Sequence, residues 1–229
     1  MQLPDEVPVM TLPNATLFPQ AMLPLYIFEP RYRQMLSDAL NTHRMFSVAM
    51  QKPGRTREIP SPVAGLGLIR ASVGNRDGTS HLILQGIARV ELEKTVRYRP
   101  YRIQRIKPLK TIGDASVRVE ALTHKVIELV GKRLDQGLDF PVHAFKQTLR
   151  IPDTEDGQKS PMFSLKQVIK HLVALDDPDQ MADLVSCALL TDPAHRQTIL
   201  EAVDLETRLK HLVQFLGSEV DRHRKNKDS

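Results

Sequence analysis

The chain has 229 residues, 41% of them hydrophobic and 26% charged, a balance ordinary for folded globular proteins and unlike disordered or fibrous ones. A chain of this length can bury a self-sufficient core without staples, and its single cysteine, Cys187, excludes an intramolecular disulfide and any multi-cysteine zinc site. The net charge of +5 is unevenly laid out: residues 1–115 carry 16 Lys/Arg against 9 Asp/Glu, and residues 116–229 carry 16 against 18.

A basic excess this mild allows contact with RNA or acidic protein surfaces, but more often serves solubility. The opening Met1-Gln-Leu-Pro-Asp-Glu is acidic where a signal peptide would be basic. The longest apolar runs, at 22–28 and 184–190, fall well short of the roughly 20 residues that span a bilayer. A cytoplasmic protein without membrane contact is the expectation.

From Val7 to about Leu109 the chain reads as short apolar segments of strand length broken by Pro, Gly and Asn, including Met45-Phe-Ser-Val-Ala-Met50, Leu66-Gly-Leu-Ile69, His81-Leu-Ile-Leu84 and Arg89-Val-Glu-Leu92. Gly74-Asn-Arg-Asp-Gly78 supplies residues that tolerate positive φ and predicts a hairpin turn. One helix interrupts this β-rich lobe. Pro30 suits a first helical position, and Tyr32, Met35, Leu36, Ala39 and Leu40 then fall on one face.

Near Asp114 the period changes to 3.6. The first helix is marked by Val119, Leu122, Val126, Leu129 and Val130, and residues 152–160 read as a mobile linker. Ser164 with Gln167 forms a capping box, Asp177-Pro178 and Asp192-Pro193 open two further helices, and Asp204 caps a last one carrying Leu205, Leu209, Leu212, Val213, Leu216 and Val220. The expected architecture is α+β: a β-rich lobe over 1–115 with one short helix, then a helical bundle over 116–229.

Catalytic chemistry is hard to find. No G-x-x-x-x-G-K-[ST] string is present to cradle phosphates; Gly131-Lys-Arg and Gly65-Leu-Gly67 are the nearest fragments. The two glycines of the latter predict a bulge or a close backbone approach. The eight histidines never recur at i+3 or i+4, and no Gly-x-Ser-x-Gly elbow marks a nucleophile. No catalytic residue, metal ligand or cofactor is assigned.

The chemically distinctive stretch is 94–110. It holds Lys94, Arg97, Arg99, Arg102, Arg105, Lys107 and Lys110 with no acid, interleaved with Tyr98 and Tyr101. Cations that neutralise phosphates beside rings that stack on bases are the components of a nucleic-acid surface. The plainer alternative is a strand pair with Tyr101, Ile103 and Ile106 packed and the arginines solvated.

The segment from Val7 to Arg33, with Leu17-Phe18-Pro19, Leu23-Pro24-Leu25 and Ile27-Phe28-Glu29-Pro30-Arg31-Tyr32, resembles the N-terminal domain of Lon proteases. Gly65-Leu-Gly-Leu-Ile69, the Asp77-Gly78 turn and Leu82-Ile-Leu-Gln-Gly-Ile-Ala-Arg-Val90 continue the likeness, as do Asp177-Pro-Asp-Gln-Met-Ala-Asp-Leu184 and Ile199-Leu-Glu-Ala-Val-Asp-Leu-Glu-Thr-Arg-Leu209. The resemblance implies a PUA-like β pseudo-barrel followed by a helical bundle, recognising unfolded or tagged polypeptides.

The Lon ATPase and serine-lysine peptidase are expected to be missing, which leaves a free-standing, non-enzymatic binding module. Its implied onward partner is a protease or chaperone, to which it delivers clients or from which it withholds them. Met22 and Leu23, in a proline-flanked and loop-like context, are the candidate peptide contacts, unless they simply close the barrel. Phe28, Glu29, Pro30, Arg31 and Tyr32 read as scaffold, with Glu29 able to cap the helix and Arg31 to pair with an unidentified carboxylate. The alternative function is RNA binding, joining the PUA-like character to Arg97, Tyr98, Arg99, Tyr101, Arg102 and Arg105.

Overall fold

The computed structural model describes residues 2–54, 58–113, 116–135 and 172–227. The linker expected at 152–160 and the capping box of Ser164 and Gln167 lie outside them. The chain divides into two compact units, Met1–Lys110 and Thr111–Ser229.

The first unit contains β1 (Glu6–Leu12), β2 (Met22–Ile27), α1 (Pro30–Leu40), β3 (Met45–Met50), β4 (Val63–Gly74), β5 (Ser80–Arg97) and β6 (Arg102–Leu109). The strands run in the order β2-β5-β4-β3-β1-β6, and β6 pairs back onto β5. Closure depends on the length of β5. Its residues 80–85 hold β2, while residues 89–97 hold β6. The result is a closed sheet with β2 added outside the ring. Among the described strands of this unit only β1 and β3 pair in parallel, which requires the crossover that β2 and α1 supply.

Two apolar clusters follow from strand alternation. Met10, Phe46, Val48, Ile69, Leu82 and Leu84 form one with Tyr32, Met35, Leu36 and Ala39 of α1; their neighbours Val7, Val9, Met45, Ala49, Leu66 and Val90 form the other. Leu17 and Phe18, in the segment before β2, are wholly buried against the sheet. They seat there because Gly65, Gly67 and Gly86 carry no side chain: a Cβ at Gly65 or Gly86 would strike the backbone carbonyl of Leu17 or Phe18. The close approach read from the Gly65 and Gly67 spacing is this one. Register shifts at Leu66/Gly67 and Ile69/Ala71 bend β4 in the same region.

Three local features differ from the sequence reading. The segment containing Met22 and Leu23 is a strand rather than a loop, because each of its residues from Met22 to Ile27 finds a partner on β5. The segments 81–84 and 89–92 are one continuous strand. Glu29 makes no side-chain cap at α1, since its carboxylate accepts from Arg31 Nε at 2.9 Å instead. The turn at 74–78 forms as expected, with Gly78 at φ 81° and Asp77 Oδ1 accepting from the Thr79 amide at 2.9 Å.

The second unit contains α2 (Val117–Asp135), α3 (Pro178–Leu189), α4 (Pro193–Glu201) and α5 (Leu205–Lys227) among its described residues. Their entries are set by side-chain caps. Asp177 accepts from the amides of Asp179 and Gln180, Asp192 from Ala194, and Asp204 from Thr207. The last helix runs through the charged tail, reaching Lys227. Arg208 of α5 is fully buried. Its guanidinium pairs with Asp179 and lies 3.6 Å from Asp183, and it donates to the Ala202 carbonyl at 2.8 Å and to Thr111 Oγ1 at 3.3 Å. A second buried pair joins Arg133 of α2 to Glu219 of α5, whose other oxygen accepts from Thr191 Oγ1 at 3.2 Å.

Candidate functional site

The strands β2, β5 and β4 form a three-stranded surface whose inner face is the α1 cluster. Alternation there should leave polar residues facing out. It does not. Tyr26 pairs with His81, which pairs with Val73; in the next row Pro24 pairs with Ile83, which pairs with Ala71. These six residues occupy the outward parity, opposite Leu23, Leu25, Leu82 and Leu84, which pack on the core. Tyr26 is 49% exposed and Val73 65%.

The outward residues line an apolar groove of about 380 Å³ that also touches Leu25 and Leu82. The Tyr26 ring lies 4.8 Å from His81 and 5.8 Å from Phe28, which is itself 58% exposed. An edge of three aromatic side chains therefore borders the groove. Contiguous apolar surface of this sort is costly in water and characteristically marks a contact site. The free edge of β2 contains Pro24, which has no N–H to offer a further strand. This edge therefore cannot offer a continuous backbone ladder, and what it presents is side chains.

Of the residues singled out from sequence, Met22 is half-buried and shares the outward parity of Pro24 and Tyr26, while Leu23 packs against the core cluster. Phe28 joins the aromatic edge. Glu29, Pro30, Arg31 and Tyr32 build its support: Arg31 bridges Glu29 and Glu58 at 2.9 and 2.5 Å, so the unidentified carboxylate is Glu58. The Tyr32 hydroxyl accepts from the Thr11 amide at 3.2 Å and donates to its carbonyl. Burial, and then the Glu58 carboxylate, push that hydroxyl up to about 12.

The basic residues lie elsewhere, where β5 turns into β6. Tyr101 is buried there, and its hydroxyl donates to Asp38 at 2.5 Å. It is therefore closed to any stacking ligand, a correction to its place among the nucleic-acid candidates. Tyr98 remains, 68% exposed.

Sequence reasoning missed Tyr26, Val73, His81 and Ile83. The available signal was that apolar residues occupy both parities of 22–27 and 81–84, whereas a half-solvated strand should alternate.

Among the described residues, no group of three or more His, Cys, Asp or Glu is placed to hold a metal, and no helix is long and apolar enough to cross a membrane.

The combination of a closed sheet followed by helices is the fold of Lon N-terminal domains. The N-terminal domain of Mycobacterium avium complex Lon protease superposes with a TM-score of 0.65 at 16% identity, covering 93% of this chain and 98% of that one. The Lon N-terminal domain protein from Xanthomonas campestris gives 0.62 at 17% identity, covering 92% and 98%.

At the level of family, the match is to the ATP-dependent protease La (LON) substrate-binding domain over residues 6–218, and the chain belongs to that family. Among curated relatives, Lon protease of Desulfosudis oleivorans is 23% identical over 227 residues, which is 96% of this chain and 25% of the relative. Lon protease of Nitrosococcus oceani is 33% identical over 136 residues, 56% of this chain and 17% of the relative. The chain thus spans about a quarter of the length of the full-span relatives it matches.

Proposed function

We propose that this protein is a non-enzymatic, cytoplasmic polypeptide-binding module that holds unfolded or tagged segments in the groove formed by Pro24, Tyr26, Ala71, Val73, His81 and Ile83. Family membership supports substrate recognition as the general role. The single observation that carries the assignment to this surface is the apolar outer face of β2, β5 and β4, where strand alternation calls for polar side chains.

Binding by a shallow apolar surface with aromatic edges tolerates many sequences, because packing area rather than a fixed hydrogen-bond pattern supplies the free energy. Such weak contact suits a module that passes clients to a protease or chaperone, or withholds them from it. Met22, at the end of the same outward row, extends the surface; Leu23 supports it from behind.

The test is site-specific photo-crosslinking. Benzoylphenylalanine at position 26 should crosslink a permanently unfolded, carboxymethylated polypeptide, and the same group at position 105 should not. Equal labelling from both positions would reject the groove as the site.

A further inference from the structure

The end of β5 opposite the apolar groove carries a second, chemically different surface. Cations spread over 94–110 are not equivalent in the fold. Arg105 is paired with Glu6 at 3.4 Å, and Lys107 stands across from Glu91 in the strand register. Lys110 follows the far end of β6, so the remaining excess collects at the hairpin tip, on Lys94, Arg97, Arg99 and Arg102. Among the described residues none of these four has a carboxylate within ion-pair distance. Two acids near the tip are engaged elsewhere: Asp38 accepts from Tyr101, and Glu58 holds Arg31.

The tip is also braced. The Arg102 guanidinium lies 5.2 Å from the centre of the Tyr98 ring while donating to the Glu58 carbonyl at 3.0 Å and Thr95 Oγ1 at 3.4 Å. Arg97 stacks in the same way on Tyr101, at 4.9 Å. Arg102 thus fixes the exposed Tyr98 ring from the frame of the barrel. Lys94, Arg97 and Arg99 stand exposed around it.

We infer that the β5–β6 hairpin tip binds single-stranded nucleic acid, with Tyr98 stacking on a base and Lys94, Arg97 and Arg99 neutralising flanking phosphates. An acidic polypeptide would use the charges but has no need of a held, exposed ring. A base uses both, since every base has a planar face and every link a phosphate. This surface is independent of the groove, so either assignment can fail without the other.

The experiment is fluorescence anisotropy of the full chain with labelled twelve-nucleotide oligouridylate. With three phosphates neutralised, raising monovalent salt from about 50 to about 200 mM should weaken binding roughly twentyfold. Tyr98→Ala should weaken it at least about fivefold and Tyr98→Phe should not, because stacking needs the ring and not the hydroxyl. Lys94→Gln with Arg99→Gln should flatten the salt dependence while leaving the melting temperature unchanged, as both side chains are exposed and neither braces the tip. Weaker binding of oligothymidylate assigns RNA, and equal binding assigns single strands of either kind. The inference is overturned if oligouridylate does not bind, if Tyr98→Ala binds as well as wild type, or if polyglutamate of equal charge competes as well as the oligonucleotide.

Discussion

Replacing Gly86 with alanine should damage the first unit far more than a single methyl group suggests. The added Cβ would collide with the carbonyl of Phe18, a backbone atom with no rotamer to escape into. The two segments are also tied by Gln20 N to Gly86 O and Gly86 N to Ala21 O, both at 2.9 Å. Accommodating the methyl therefore means lifting residues 17–21 off the sheet.

Leu17 and Phe18 are both fully buried, and burial of such side chains is worth roughly 1.5–3 kcal/mol each. Losing about half of that, with two hydrogen bonds at about 1 kcal/mol each, puts the cost at about 3.5–5 kcal/mol. All four tyrosines, at 26, 32, 98 and 101, lie in the first unit, and the chain has no tryptophan. Tyrosine fluorescence during urea unfolding thus reports this unit alone. The midpoint should fall by about 2 M for a typical urea slope. A fall of under about 0.3 M would show that the segment does not depend on the glycine gap.

Other consequences follow from the same contacts. Asp177→Ala removes the acceptor for two amides at the start of α3 and should cost about 1 kcal/mol, read by circular dichroism during thermal unfolding. Arg208→Met strips the buried charge that Asp179 and Asp183 face and should cost about 3–5 kcal/mol by the same readout.

Because the folded Tyr32 hydroxyl is pushed from 10.0 up to about 12, the unfolded chain releases this proton first. The associated stability is complete below pH 10 and drains away as pH rises toward 12. The melting temperature should drop between pH 10 and pH 12, and drop less in Tyr32→Phe.

The fold was legible where chemistry is local. Pro30, Asp177, Asp192 and the Gly74 to Gly78 turn announce themselves through fixed φ, capping oxygens and positive-φ tolerance, and the period of 3.6 in the back half needs no tertiary information. What stayed hidden depended on partners distant in sequence. Pro24 argues against a strand, yet β5 recruits it at an edge where a missing N–H does no harm. Glu29 looks like a cap until Arg31, drawn between it and Glu58, takes its carboxylate.

The groove was hidden for the same reason. Tyr26, His81 and Val73 become neighbours only when three strands are in register, and a sequence shows apolar residues without showing which face they take. The basic stretch could be read by composition, but only the structure separates buried Tyr101 from exposed Tyr98.

The most direct test of polypeptide recognition at this groove is the affinity of a labelled, permanently unfolded polypeptide for wild-type protein and for the double variant Tyr26→Asp, Val73→Asp. Both side chains face solvent, so the melting temperature should hold while charge placed in the groove weakens binding at least about tenfold, or about 1.4 kcal/mol. Unchanged affinity in a folded double variant would contradict the account.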